Sequence, residues 1–342
     1  MLITELSQIP GVSGDESRVR DFIKEKLSSW GIEHYTDSLG NLFALKEGKK
    51  NGSESGLMLS AHMDEVGLLV SSVEKSGHLR FYKVGGVDER ALITKPVLVG
   101  PNDVMGVIGA KAIHLQKKEE RKKPLKIENL CIDIGAKDKD DAERVVKVGD
   151  YVSFYSEAGL SGNIVKGKAL DNRAGCAALL EILQRDYPCS FTAVFTVQEE
   201  VGLRGAIVAA YRIKPRIALV LETTGAIDIP EAKNQDHSTS LGAGPAFTVK
   251  DQSIIAHPRV LERLIEVAER QKRTYQFRRY GGSSTDAGAI SLAGSGTAAG
   301  VISTPCRYIH APVSMLLKED WQNLVEITDA FIRSVYEKGL EI

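Results

Sequence analysis

Thr192–Gly205, TAVFTVQEEVGLRG, is the stretch from which the rest of the chain can be read. Thr192 to Val197 is uncharged and built of β-branched and apolar residues, the composition of a central strand buried on both faces. It runs into Gln198-Glu199-Glu200, and Gly202 and Gly205 then open a run with helical spacing. Two carboxylates therefore stand side by side where a strand ends. In open α/β sheets ligands gather at the carboxyl ends of strands. Adjacent side chains of an extended segment point opposite ways, so one glutamate could hold something fixed while its neighbour faces a second target. Taken alone, the pair reads equally well as solvated glutamates at a strand exit.

Composition narrows the classes. At 342 residues the chain is long for one domain and comfortable for two. Its 43% hydrophobic and 26% charged residues are ordinary for a soluble globular protein. A formal net charge of -1, from 44 basic and 45 acidic residues, gives no electrostatic basis for binding nucleic acid or an anionic membrane. The mixed-sign run 117–126, KKEERKKPLK, reads as a loop rather than a binding patch. Cys131, Cys176, Cys189 and Cys306 form no C-x-x-C pair, which argues against a thiolate zinc site and a disulfide framework. No basic segment followed by an apolar core opens the chain, and no apolar run reaches about 18 residues. By elimination the expected compartment is the cytoplasm.

Periodicity outlines two textures. A short helix over Leu2–Ile9 stops at Pro10-Gly11, and Ser13-Gly14-Asp15-Glu16 supplies cap chemistry for an amphipathic helix over Arg18–Trp30. Strands follow at Ile32–Thr36, Asn41–Lys46 and Leu57–Ala61. Between about Gly67 and Asn163 short β-like runs alternate with Gly-rich turns, and Lys139–Val146 is the best helical candidate there. Beyond Gly167 come helix Asn172–Arg185, strand Thr192–Val197, helix Leu203–Tyr211, strand Ile217–Leu221 and helices Pro258–Arg273 and Lys318–Gly339. The expected class is α/β: a three-layer α/β/α main domain with a mixed sheet, from residues 1–66 and 164–342. A small β-rich domain, 67–163, is inserted into it, as surface loops with close ends tolerate.

The chemistry-bearing residues stand beside the main-domain strands and helices. His62-Met63-Asp64 follows Leu57–Ala61, and Asp171 precedes the helix Asn172–Arg185. Glu199 and Glu200 follow Thr192–Val197, and Glu222 follows Ile217–Leu221. Tyr308-Ile309-His310 follows Gly300–Ile302 and a turn through Pro305. Imidazole and carboxylate without thiolate is the donor set of a site for hard-to-borderline divalent metals. Asp64, two residues beyond His62, could orient that imidazole. Each residue also has a bland reading, Asp171 as a helix N-cap among them. His34, His78, His114, His237 and His257 have no comparable setting. No H-E-x-x-H or G-x-S-x-G occurs, and Gly162–Lys168, GNIVKGK, lacks Walker spacing.

These segments, AHMDEVG, ALDNRAG, VQEEVGLRGA, LVLETT, GGSSTDAGAI and RYIHAP, resemble in order the tetrahedral co-catalytic zinc aminopeptidases. That family comprises glutamyl and deblocking aminopeptidases, some of which carry an endoglucanase label. The resemblance spans essentially the whole chain. It implies that His62 and Glu222 hold one divalent metal ion, Glu200 and His310 a second, and that Asp171 bridges them. Zinc or cobalt are the expected ions. It further implies Glu199 as general base, Asp64 as orienter of His62, and Thr285 and Asp286 at the substrate pocket. The insertion would be a dimerisation domain, with dimers building a dodecamer, and peptides would be the substrates. Two departures stand out: Glu222 where the family often has Asp, and Asn172 where it usually has a second acid. Loss of that acid would lower metal affinity. A glycoside hydrolase using paired carboxylates would leave His62 and His310 unemployed, and a non-catalytic metal- or peptide-binding assembly is the third reading.

Overall fold

In the computed structural model of the chain the described residues are 1–49, 54–118, 122, 125–230, 232, 238–279 and 282–339. His237, Gly281 and part of the run 117–126 lie outside them. Helices α1 (Leu2–Gln8) and α2 (Ser17–Ser29) precede strands β1 (Glu33–Thr36), β2 (Leu42–Lys46) and β3 (Glu54–His62). The chain then builds β4 (Gly67–Val73), β5 (Leu79–Val84), β6 (Pro96–Val99), β7 (Val104–Ala110), β8 (Leu130–Asp133), the short helix α3 (Lys139–Glu143) and β9 (Tyr151–Phe154). It returns through β10 (Gly159–Ser161) and β11 (Ile164–Gly167) to α4 (Leu170–Leu183), β12 (Ser190–Thr196), α5 (Arg204–Ile213) and β13 (Ile217–Gly225). Then come β14 (Ala246–Thr248), α6 (Pro258–Arg270), β15 (Gln276–Arg278), α7 (Asp286–Ser291), β16 (Ala298–Arg307), β17 (Ser314–Leu317) and α8 (Lys318–Lys338).

Alternation along the central strands sorts these elements into layers. On β13, Ile217, Leu219 and Leu221 pack with α4, α6 and α8, whereas Ala218 and Val220 pack with α5 and α7. The 11-stranded sheet runs β1-β2-β12-β3-β13-β16-β17-β11-β10, with β14 beside β16 and β15 beside β14. Its four middle strands are parallel, and β2 and β17 flank them antiparallel. The fold is therefore three-layered α/β/α with a mixed sheet, and its parallel strands all deliver their carboxyl ends to one edge. A second body closes on itself as a barrel, β4-β5-β8-β7-β6-β9, around Leu68, Val70, Leu79, Val97, Ile108 and Val152. Closure removes the exposed edges that short strands would otherwise present.

Some local expectations shift. β13 runs to Gly225, so Glu222 lies inside the strand rather than after it, in register with Ser303. β16 likewise continues through Pro305 to Arg307. Pro305 has no registered partner on the β14 and β17 side, where a strand tolerates a residue without an N–H. α2 starts at Ser17, and Glu16 makes no side-chain cap bond. Short elements such as β14, β15 and α7 span too few residues to show a period.

A buried ionic cluster joins α1, the barrel and the main sheet. Glu65 Oε1 accepts from Lys168 Nζ at 2.5 Å, Gly11 N at 3.0 Å and Ser153 Oγ of β9 at 3.3 Å. Arg173 lies 3.5 Å from the same oxygen and donates to Leu6 O and Ile9 O at 2.7 and 2.9 Å. Burial lowers the Lys168 pKa to about 8 despite the Glu65 carboxylate. Removing Glu65 would leave two cations without water or a counter-charge. Glu65→Leu is expected to cost about 3–5 kcal/mol in urea denaturation, with secondary structure otherwise retained in the absence of urea.

Candidate active site and metal centre

The four parallel strand ends converge on a cavity of about 430 Å³. β3 delivers His62, which is buried. Its Nδ1 lies 3.2 Å from Asp64 O and 3.4 Å from Asp64 Oδ1. A proton held there leaves Nε2 as the free lone pair. That Nε2 stands 3.4 Å from Asp171 Oδ1 and 3.6 Å from Glu222 Oε2. His310, beyond β16, places Nε2 at 3.3 Å from both Asp171 Oδ2 and Glu200 Oε1. Its Nδ1 is 3.1 Å from Gly86 O, in the segment between β5 and β6. Asp171 thus turns one oxygen to each imidazole.

Three groups of donor atoms could hold a metal ion: His62, Asp171 and Glu222; Asp171, Glu200 and His310; and His62, Glu199 and Glu200. Within each the atoms lie within 4.8 Å of one another. Glu222 Oε1 is buried without a hydrogen-bond partner, an orphaned lone pair of the sort a cation satisfies. The donor set and this orphan fit a divalent metal.

The glutamate pair is arranged differently from an extended strand. Gln198 takes φ 55 and turns the chain, and Glu199 O accepts from Gly202 N and Leu203 N. Glu199 and Glu200 both line the cavity rather than diverging across a sheet. Their neighbours distinguish them. Glu200 reaches His310, whereas Glu199 appears only in the group with His62 and Glu200. Asp64 fixes this turn: Oδ1 accepts from Glu199 N at 3.0 Å, and Oδ2 from Glu200 N at 3.1 Å and Ser13 Oγ at 2.7 Å.

Crowded buried acids explain the electrostatics. Burial pushes Glu222 and Glu199 well above the usual carboxylate range and raises Glu200. Burial also opposes ionisation of Asp171, but hydrogen bonds from His310 and His62 outweigh it and lower its pKa. For His310 burial disfavours the charge, yet Asp171 and Glu200 lift it to about 11. His62 is raised for the same reason, chiefly by Glu222 and Asp171 against its own burial.

Asn172, which stands where the resemblance expects a second acid, is tied to the backbone and to β13. Its Oδ1 accepts from Gly175 N at 3.0 Å and Thr223 Oγ1 at 3.2 Å, and its Nδ2 donates to Leu221 O at 2.9 Å. It therefore grips β13 on both sides of Glu222, and an aspartate could not donate to Leu221. It also caps α4, the role open to Asp171 on sequence grounds; Asp171 itself is non-helical. Of the pair assigned to the substrate pocket, Thr285 lines the cavity. Asp286 is fully buried behind the wall, its Oδ2 2.5 Å from Thr196 Oγ1, and burial lifts its carboxyl to about 6. Arg278, with Arg279, is in the sequence only a weak candidate for meeting an acidic substrate side chain. It lines the cavity, 8% exposed, next to Ser283 and Asp251, and no other lysine or arginine is among the described lining residues.

With this geometry in view, the sequence matches the M42 glutamyl aminopeptidase family over residues 40–327. The chain belongs to that family. Aminopeptidase is the activity class that membership assigns to it. A putative aminopeptidase of Acetivibrio thermocellus is 40% identical over 330 residues, covering 95% of this chain and 96% of that protein. An aminopeptidase structure from the archaeon Desulfurococcus kamchatkensis superposes with a TM-score of 0.93 at 36% identity, covering 100% of this chain and 97% of that one. The TET1 peptidase of Pyrococcus horikoshii, which can assemble into a tetrahedron or a large octahedral shell, gives 0.84 at 31%, covering 96% and 97%. Among the described residues of this M42 chain no helix is long and apolar enough to cross a membrane.

Asp64→Asn would turn an amide N–H₂ toward donors that need an acceptor. Zinc affinity, read by competition with a chromogenic chelator, is expected to fall roughly 10–100-fold. The unfolding midpoint should fall too, since each buried donor left unpaired costs about 1–3 kcal/mol.

Proposed function

We propose that this chain removes N-terminal residues from peptides at a two-metal centre in this cavity, with Glu199 as general base. His62 and Glu222 would hold one divalent ion, His310 and Glu200 the other, with Asp171 shared. The observation that carries this reading is Asp171, whose two oxygens approach imidazoles drawn from opposite ends of the chain at 3.4 and 3.3 Å. Zinc or cobalt suits such donors, and the chemistry a bound pair supplies is Lewis acidity toward a carbonyl and toward water.

The chain's own groups do the rest. Glu199 lies in the cavity wall outside both groups that contain Asp171, so its carboxylate is free to take a proton from water and pass it to the leaving amine. Glu200 is committed to His310. The backbone of both glutamates is held by Asp64, so the base approaches its target without a search. A glycosidase would give two imidazoles directed at carboxylates no task.

The test compares Glu199→Gln, Glu200→Gln and chelator-treated wild type. Glu199→Gln should keep its metal and lose at least about 10²-fold in kcat on an aminoacyl-p-nitroanilide panel. Glu200→Gln should bind less metal, and added zinc or cobalt should partly restore its rate. Metal stoichiometry beside kcat reads both; if both variants stay fully active, the two-metal hydrolase reading fails.

The same reading includes self-association through the β-rich insertion, expected over 67–163, whose barrel strands run from Gly67 to Phe154 while β10 joins the main sheet. Tyr82 on β5, and Met105 and Val107 on β7, are exposed there, with Ile113 and Leu115 beyond. Exposed apolar side chains in this insertion are what a self-association surface there would use, and the TET1 relative can assemble into a tetrahedron or a large octahedral shell. Light scattering coupled to size exclusion should show a mass well above the monomer at micromolar concentration. A clean monomer would remove this part of the proposal.

A further inference from the structure

The segment Ser13–Glu16 looks like a helix cap in the sequence but turns the Ser13 and Glu16 side chains inward. Glu16, 4% exposed, makes no cap bond to α2. Its Oε1 instead accepts from Gly14 N at 2.7 Å and from Gln198 N at 3.1 Å. Ser13 donates to Asp64 Oδ2, and Ser13 N bonds Glu65 O at 3.2 Å. Three successive amides, Gln198, Glu199 and Glu200, therefore each donate to a buried carboxylate from a distant part of the chain: Glu16 for the first, Asp64 for the other two.

Gln198 is where this matters. It is a non-glycine residue at φ 55, a conformation that persists only when its surroundings over-determine it. Val197 N bonds Asn41 Oδ1 at 3.1 Å on one side of it, and Asp64 holds the chain on the other. Glu16 supplies the bond at the turning residue itself. We infer that Glu16 is a positioning residue for the glutamate pair: through Gln198 N–H it sets the turn that aims Glu199 and Glu200 into the cavity, while Ser13 steadies Asp64 from the same loop. The inference rests on the roles proposed above for Glu199 and Glu200.

Among the described residues the loop makes no hydrogen bond or ion pair to either glutamate side chain, so its effect is on where those groups sit and not on what they bind. Loss of Glu16 should therefore act on kcat rather than on KM. It should also alter the coordination of whatever Glu200 holds. An amide oxygen can accept the same two N–H bonds, so glutamine should substitute for glutamate. Aspartate, one methylene shorter, should not reach both.

The experiment uses the full chain with Glu16→Ala, Glu16→Asp, Glu16→Gln and, as reference, Glu199→Gln. kcat and KM are measured on the aminoacyl-p-nitroanilide that the wild type turns over best. Cobalt(II) is titrated into each protein and followed by its visible absorption. Glu16→Ala and Glu16→Asp are expected to lose roughly 10–100-fold in kcat with an altered cobalt spectrum. KM should stay within about threefold, and Glu16→Gln should recover to within about threefold of wild type in kcat. Glu16→Asp gives the same reading should the alanine variant fail to fold. Wild-type kcat and spectrum in Glu16→Asp, or equal impairment of Glu16→Asp and Glu16→Gln, would overturn the inference. A fully active Glu199→Gln would instead defeat the reading of the pair on which it rests.

Discussion

Asp64 is the constraint on which the site depends. A carboxylate with no solvent contact needs donors for its oxygens, and this one finds them in Ser13, the amides of Glu199 and Glu200, and His62 Nδ1. Burial works against its charge, but the His62 imidazole and these donors hold its pKa below the ordinary value. In return it locks three separate pieces of chain: the N-terminal loop, the exit of β3 and the exit of β12. Each alone would be a loose loop or strand end. Joined through one charged group in a low dielectric, they form a rigid rim.

The remaining geometry follows from putting many acids at that rim. Parallel strands in register bring Thr196 beside His62 and Glu222 beside Ser303, so side chains at strand exits are forced into one small volume. Like charges there are costly unless cations separate them. Two imidazoles, each placed between carboxylates, reduce that cost in the chain as described. The same excess of oxygen donors makes the cavity receptive to divalent ions. Electrostatic instability and metal affinity are here two aspects of one arrangement.

The barrel takes part in this arrangement. Gly86 O fixes His310 Nδ1. Ser153 of β9 bonds the Glu65 carboxylate beneath the β3 exit. Tight spacing at the junction also dictates glycine: a Cβ on Gly86 would lie 3.1 Å from His310 Nδ1. The inserted body and the main sheet are therefore coupled through the site.

Much of this was legible in the sequence, since burial leaves a local record. The uncharged runs 57–61, 192–197 and 217–221 announce central strands because both their faces meet helices. The alternation of short apolar runs and glycines after Gly67 announces a separate β-rich body. His62, Glu199, Glu200 and Glu222 could be singled out because polar groups abutting such runs are costly without a purpose, and Asp171 and His310 because they stand at a helix start and beyond a strand of the same domain. What no local pattern carries is which donor meets which acceptor. That depends on strand register and on the φ of single residues. Hence the reading of Glu199 and Glu200 as opposite faces of a strand gave way to a turn at Gln198. The Asp64 carboxylate proved to hold backbone amides 135 and 136 positions away, and Asn172 proved to clamp β13. Arg278 came to the cavity from a three-residue strand too short to show a period. The sequence alone determined the layers and the chemical types at the strand ends, because hydrophobic periodicity acts over a few neighbouring residues. Only the tertiary structure decided how those groups are oriented and joined, because hydrogen bonds and charge pairs between distant segments exist only once the strands have registered.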